Sequence, residues 1–92
     1  MLDYVTCRLC GSSHWIEYHH IFSNHYRKKS TQYGYVVPLC HECHQGKNGV
    51  HSNHENSLIL KREAQSHFEV SHSRQDFIDT FGRNYLEDEN GL

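Results

Sequence analysis

Val37-Pro38-Leu39-Cys40-His41-Glu42-Cys43-His44 is the stretch that decides how this chain of 92 residues folds. A short apolar run delivers two cysteines separated by two residues, and a histidine follows at once. The same spacing occurs upstream in Cys7-Arg8-Leu9-Cys10, with 29 residues between Cys10 and Cys40. Two-residue spacing lets both thiolates of a pair converge on one ion at about 2.3 Å, and two pairs complete a closed tetrahedral zinc site. Disulfides would need an oxidising compartment, and a redox C-x-x-C needs no second copy. Gly11, directly after Cys10, suits a knuckle in which amides turn toward the sulfurs.

Zinc also answers a problem of size. A chain this short, with only 36% hydrophobic residues, buries too little surface for a large apolar core. Metal binding then becomes folding free energy. The beginning of the chain, MLDYVTCRLC, carries no basic-then-apolar leader, and no apolar run approaches the ~20 residues of a membrane span. The expectation is a soluble, cytoplasmic protein with no membrane partner.

Outward from the cysteines, residues 14–22 are aromatic and β-branched and predict a strand, which Ser23-Asn24 ends. Residues 23–34 are polar and basic, bounded by Gly34, and read as a loop. Tyr35 to Leu39 predicts a second strand, with Pro38 tolerated near its end. Cys40 to Gln45 starts a helix that Gly46 and Gly49 keep short. Leu58, Leu60, Ala64 and Phe68 recur near helical period between Ser57 and Val70, with Ser57 as N-cap. Ser73-x-x-Asp76 signals a last helix, which Gly82 stops. The fold class is therefore α+β: a small zinc-stapled ββα, treble-clef-like finger over residues 1–56, C-terminal helices of the same domain over 57–86, and a frayed tail at 87–92.

Ten histidines remain to be placed, and three stand out: the doublet His19-His20 on the first strand, and His44. The combination of C-x-x-C, His19-His20-Ile21 and Pro38-Leu39-Cys40-x-x-Cys43-His44 resembles the HNH, or His-Me finger, endonucleases of the zinc-bearing ββα-metal type. It covers roughly residues 7–51 and is similar to small phage-encoded members, which would place it in a bacterial or phage-infected cell. The resemblance implies a metal-dependent DNA endonuclease in which His20 is the general base and His19 and His44 hold a catalytic cation. Imidazole ligands admit Mg²⁺, Mn²⁺, Ni²⁺ or Zn²⁺ there. It further implies that a monomer nicks and a homodimer cuts both strands. The family usually carries an asparagine about five residues before the third cysteine, fixing the loop that orients the base. Tyr35 stands at that place, and a phenol lacks the paired donor and acceptor of an amide.

His51 is a candidate third ligand, on the face of His44 if the helix runs unbroken, and Asn48 has a similar claim. His14 and His25 read as loop residues, His41 as solvent-facing, His67 and His72 as surface or core-edge. Trp15 reads as packing beside the zinc rather than as a base-stacking platform.

The formal charge of −2 conceals an asymmetry. Residues 1–62 hold seven basic and four acidic side chains, and residues 63–92 hold two basic and seven acidic. Arg27, Lys28, Lys29 and Lys47 are the candidate phosphate contacts on DNA, and the acidic C-terminal helices a possible surface for a protein partner. The alternative function is a non-catalytic zinc module that binds nucleic acid or protein.

Overall fold

The computed structural model describes residues 5–47 and 49–86, so Asn48 and the tail at 87–92 lie outside the described residues. The element order is β1 (Ile16–His20), a 3-10 turn (Asn24–Tyr26), α1 (Arg27–Gln32), β2 (Val36–Cys40), α2 (His41–Gln45), α3 (His54–Phe68) and α4 (Arg74–Phe81). It is a small α+β structure with one two-stranded antiparallel sheet. No helix among the described residues is long and apolar enough to cross a membrane.

β1 pairs with β2 so that Ile16 faces Cys40 and His20 faces Val36. The strands thus bring the cysteine end of β2 against the start of β1, and the histidine doublet against the start of β2. Residues 23–34 are not a loop. They form the 3-10 turn and α1, whose sequence Arg-Lys-Lys-Ser-Thr-Gln contains no helix breaker. An apolar periodicity is missing because only Ser30 of α1 is buried. Its hydroxyl donates to the Tyr35 carbonyl at 2.6 Å and accepts from the Phe22 amide at 3.2 Å. Those two bonds close the chain on itself just past His20. Gly34, at φ +82°, makes the left-handed turn from α1 into β2.

α3 starts at His54, three residues before the expected cap, because the Asn53 side chain accepts from the Asn56 amide. The first turn, His54 to Ser57, is polar, so hydrophobic period alone places the start too late. α4 meets expectation: Ser73 and Asp76 form a reciprocal capping box, and Gly82 ends the helix at φ +93°. A side chain at Gly82 would also run into the Tyr26 ring.

One apolar cluster joins the sheet to the C-terminal helices. Ile21 and Phe22 beyond β1, Leu39 of β2, Leu60 and Phe68 of α3, and Phe77 and Phe81 of α4 all belong to it. Phe22 stacks on Phe81 with ring centroids 4.3 Å apart. Burying a phenylalanine is worth about 1.5–3 kcal/mol, so this cluster rigidly seats the end of β1 on the helices. Arg8 adds a surface ion pair to Glu63 at 2.6 Å, tying the first cysteine turn to α3.

Candidate functional site

Two separate groups of ligating side chains come together. The sulfurs of Cys7, Cys10, Cys40 and Cys43 lie within 4.8 Å of one another, and all four are free thiols. Cys40 immediately precedes α2 and Cys43 lies one turn into it, so helical spacing turns both toward the same point. At the other pair, the amides of Leu9 and Cys10 each point at Cys7 Sγ from 3.4 Å, and Gly11, at φ +83°, returns its amide to the Cys7 carbonyl. This is the knuckle expected from the sequence. Burial pushes the Cys7 thiol up, but amides from Cys40, Cys10 and Leu9 more than offset it and bring it down to about 6. Burial, then the neighbouring sulfurs, push Cys43 the other way. Cys10 Sγ and Cys40 Sγ are 3.6 Å apart. Two thiolates on one tetrahedral ion at about 2.3 Å would be about 3.8 Å apart. The four cysteines can therefore hold a structural metal such as zinc.

The second group is His19, His44 and His51, whose ligating nitrogens also lie within 4.8 Å of one another. His19 comes from β1 and is 7% exposed, His44 from the last turn of α2, and His51 from the turn that follows. His51 does not arrive by helical spacing, because α2 ends at Gln45. Gly49 lets the chain fold back: a side chain there would collide with the His44 backbone, and the Val50 amide bonds to the Cys43 carbonyl at 2.8 Å. That reversal sets His51 Nε2 3.1 Å from His44 Nε2. Two imidazoles on one ion at 2.0–2.1 Å would be about 2.9–3.4 Å apart, so the donor set fits a divalent cation. Three ligands leave coordination positions open, as a catalytic ion requires and a structural one does not.

Glu17 organises this group, and the sequence reading missed it. Its carboxylate sits 2.7 Å from His44 Nδ1 and 2.9 Å from His41 Nδ1, and accepts from Gln45 Nε2 at 2.9 Å. The hydrogen bonds from His41 and His44 hold its carboxyl down to about 2. A carboxylate on Nδ1 leaves Nε2 of His44 free as a ligand, the usual outer support of a metal-bound histidine. Two periodicities carried the signal: Glu17 and His19 share one face of β1, and His41 and His44 share one face of α2. His41 is thus not merely solvent-facing. It is half-buried, bonded to Glu17 and stacked on Trp15.

His19 and His20 line one pocket of about 200 Å³ together with Tyr18, Ser23, Arg27, His44 and His51. Neighbouring strand residues normally point to opposite faces, and the pair shares a pocket because β1 ends at His20. Burial holds His19 down to about 4, with help from the charges of His44, His51, Lys61 and His20. Burial and then Arg27 lower His20 as well, which favours the neutral imidazole. Of the basic candidates, Arg27 lines the pocket, whereas Lys28, Lys29 and Lys47 are exposed and outside its lining. α1 spreads the basic run around a helix, so consecutive residues cannot share one target. Lys61, whose charge acts on His19, is a cation near the site that no sequence motif marked.

Tyr35 does not face the pocket. It is 8% exposed, and its hydroxyl meets His67 Nδ1 at 3.1 Å. Among the described residues the His20 ring has no hydrogen-bond partner; the backbone next to it is fixed by Ser30 instead. His67 is thereby a partner of the core edge, and His72 stacks on Phe68. Comparisons with protein-family models, with curated proteins and with solved structures return no match.

Proposed function

We propose that this protein is a metal-dependent DNA endonuclease of the HNH type, with a zinc held by the four cysteines. In that reading β1, β2 and α2 are a ββα-metal, treble-clef-like finger. The observation that carries it is the convergence of His19, His44 and His51 on one point beside His20 and Arg27. A cation bound there supplies Lewis-acid stabilisation of negative charge on the scissile phosphate.

The chain's own residues do the rest. Arg27 pairs with a phosphate oxygen and positions the backbone. His20, neutral at cellular pH, takes the proton from an attacking water. The water oxygen bonds to phosphorus in line with the bond to the 3′ oxygen. That bond breaks, the 3′ oxygen gains a proton from solvent, and the products are a 5′-phosphate and a 3′-hydroxyl. Glu17 keeps His44 in the tautomer that ligates. Ser30 takes over the backbone clamp that the family assigns to an asparagine, which supports catalysis despite Tyr35.

The test is conversion of supercoiled plasmid to open circle by zinc-loaded wild-type protein, alone and with Mg²⁺, Mn²⁺, Ni²⁺ or added Zn²⁺. Nicking that depends on at least one added cation supports the reading. No nicking with any of them refutes it in favour of a non-catalytic zinc module.

A further inference from the structure

Trp15 contradicts its reading as a packing residue: it is 69% exposed. It is also held in a conformation that bulky residues avoid, with φ at +51°. The ring is nevertheless not loose. It lies parallel to His41, with centroids 3.9 Å apart and 8° between planes, and the Trp15 carbonyl accepts from the His41 amide at 2.9 Å. His41 is fixed in turn by Glu17. A strained backbone and an ordered, solvent-facing indole contribute little to the core, so their use lies at the surface.

We infer that the Trp15–His41 stack is a platform for an unpaired nucleobase, which makes single-stranded or locally opened DNA the preferred substrate of the proposed nuclease. The inference rests on the nuclease reading and sharpens it. One indole face is occupied by imidazole, and the exposed remainder borders a shallow pocket of about 240 Å³ lined by Ser12, His14, Trp15, Cys40, His41 and Glu42. The Trp15 and His41 rings give it flat walls against which a planar ring system can lie. Ser12, His14 and Glu42 bring polar groups to the same pocket, where a base edge can hydrogen-bond. Trp15 stacks on His41, and His41 shares the Glu17 carboxylate with His44, so one imidazole and one carboxylate separate the indole from the histidine group. A strand whose phosphate sits at the histidines therefore passes the indole within a few nucleotides. Stacking on an aromatic ring is tolerant of sequence and needs a base free of its duplex.

Trp15 is the chain's single tryptophan, so its emission reports this site alone. The probes are oligothymidylate and an abasic strand of equal length, titrated into the zinc-loaded His20→Ala protein, with binding followed in parallel by anisotropy. The expected result is quenching by oligothymidylate and none by the abasic strand. Trp15→Ala, which removes an exposed side chain, should retain its zinc and loosen oligothymidylate by about fivefold or more while leaving the abasic strand unchanged. Equal emission with both strands, or equal affinity of Trp15→Ala and its parent for oligothymidylate, overturns the inference and leaves the indole as a surface for a protein partner. Loss of plasmid nicking by wild type is a separate failure, that of the nuclease reading itself.

Discussion

Replacing Glu17 with glutamine keeps the shape of the side chain and removes its charge. In the native arrangement one carboxylate accepts from both His44 and His41, at 2.7 and 2.9 Å, and from Gln45 at 2.9 Å. A carboxamide has a single oxygen, so it can serve one histidine while presenting an N–H group to the other. If His44 faces that N–H group, its Nδ1 must accept, its Nε2 carries the proton, and it ceases to be a ligand. Loss of such outer support of a metal-bound histidine typically costs 10- to 100-fold in metal affinity, or about 1.4–2.7 kcal/mol. Glu17→Gln should therefore weaken binding of Mn²⁺ or Ni²⁺ at the histidines by that factor, measured by calorimetric titration of protein already loaded with zinc at the cysteines. The cysteine-bound zinc should stay, since Glu17 bonds to His41, His44 and Gln45 rather than to the cysteines. An unchanged dissociation constant for the second ion would refute the role given to Glu17.

Two further outcomes follow from the same geometry. Ser30→Ala strands the buried Phe22 amide and removes a donor from Tyr35, so it should cost about 1–3 kcal/mol in denaturant unfolding and slow nicking by loosening the backbone beside His20; wild-type stability would contradict the clamp. His19 titrates near 4 when folded, against about 6.5 in an unfolded chain, so the unfolded state takes up the proton first as pH falls. The stability of protein with empty histidines is then complete above about 6.5 and declines by about 3 kcal/mol on the way down to about 4. His19→Gln should lack that part of the acid sensitivity, and equal acid sensitivity of the two proteins would count against it.

Much of the frame was legible because its signals are local. C-x-x-C spacing, the aromatic and β-branched run of residues 14–22 and the Ser73-x-x-Asp76 cap each state their geometry within a few residues. α1 was hidden because its one buried residue is a serine, which acts through hydrogen bonds rather than apolar period. His51 was given the wrong route, since a tight turn at Gly49, and not a continuous helix, carries it back to His44. Trp15 illustrates a different limit: composition predicts a buried aromatic, while the positive φ that turns it outward leaves no mark in the sequence. Glu17 required pairing a two-residue period on β1 with a three-residue period on α2, a match that only the folded chain makes visible.

In the proposed reaction His20 abstracts a proton beside a cation held by its neighbours. The most direct test is the single-turnover nicking rate of supercoiled plasmid by wild type and His20→Ala, with both metal sites saturated and DNA affinity shown to be equal. General-base catalysis contributes about 10²–10⁴-fold, so the variant should slow by that factor while keeping both metals. A His20→Ala protein that nicks as fast as wild type would rule out His20 as the base.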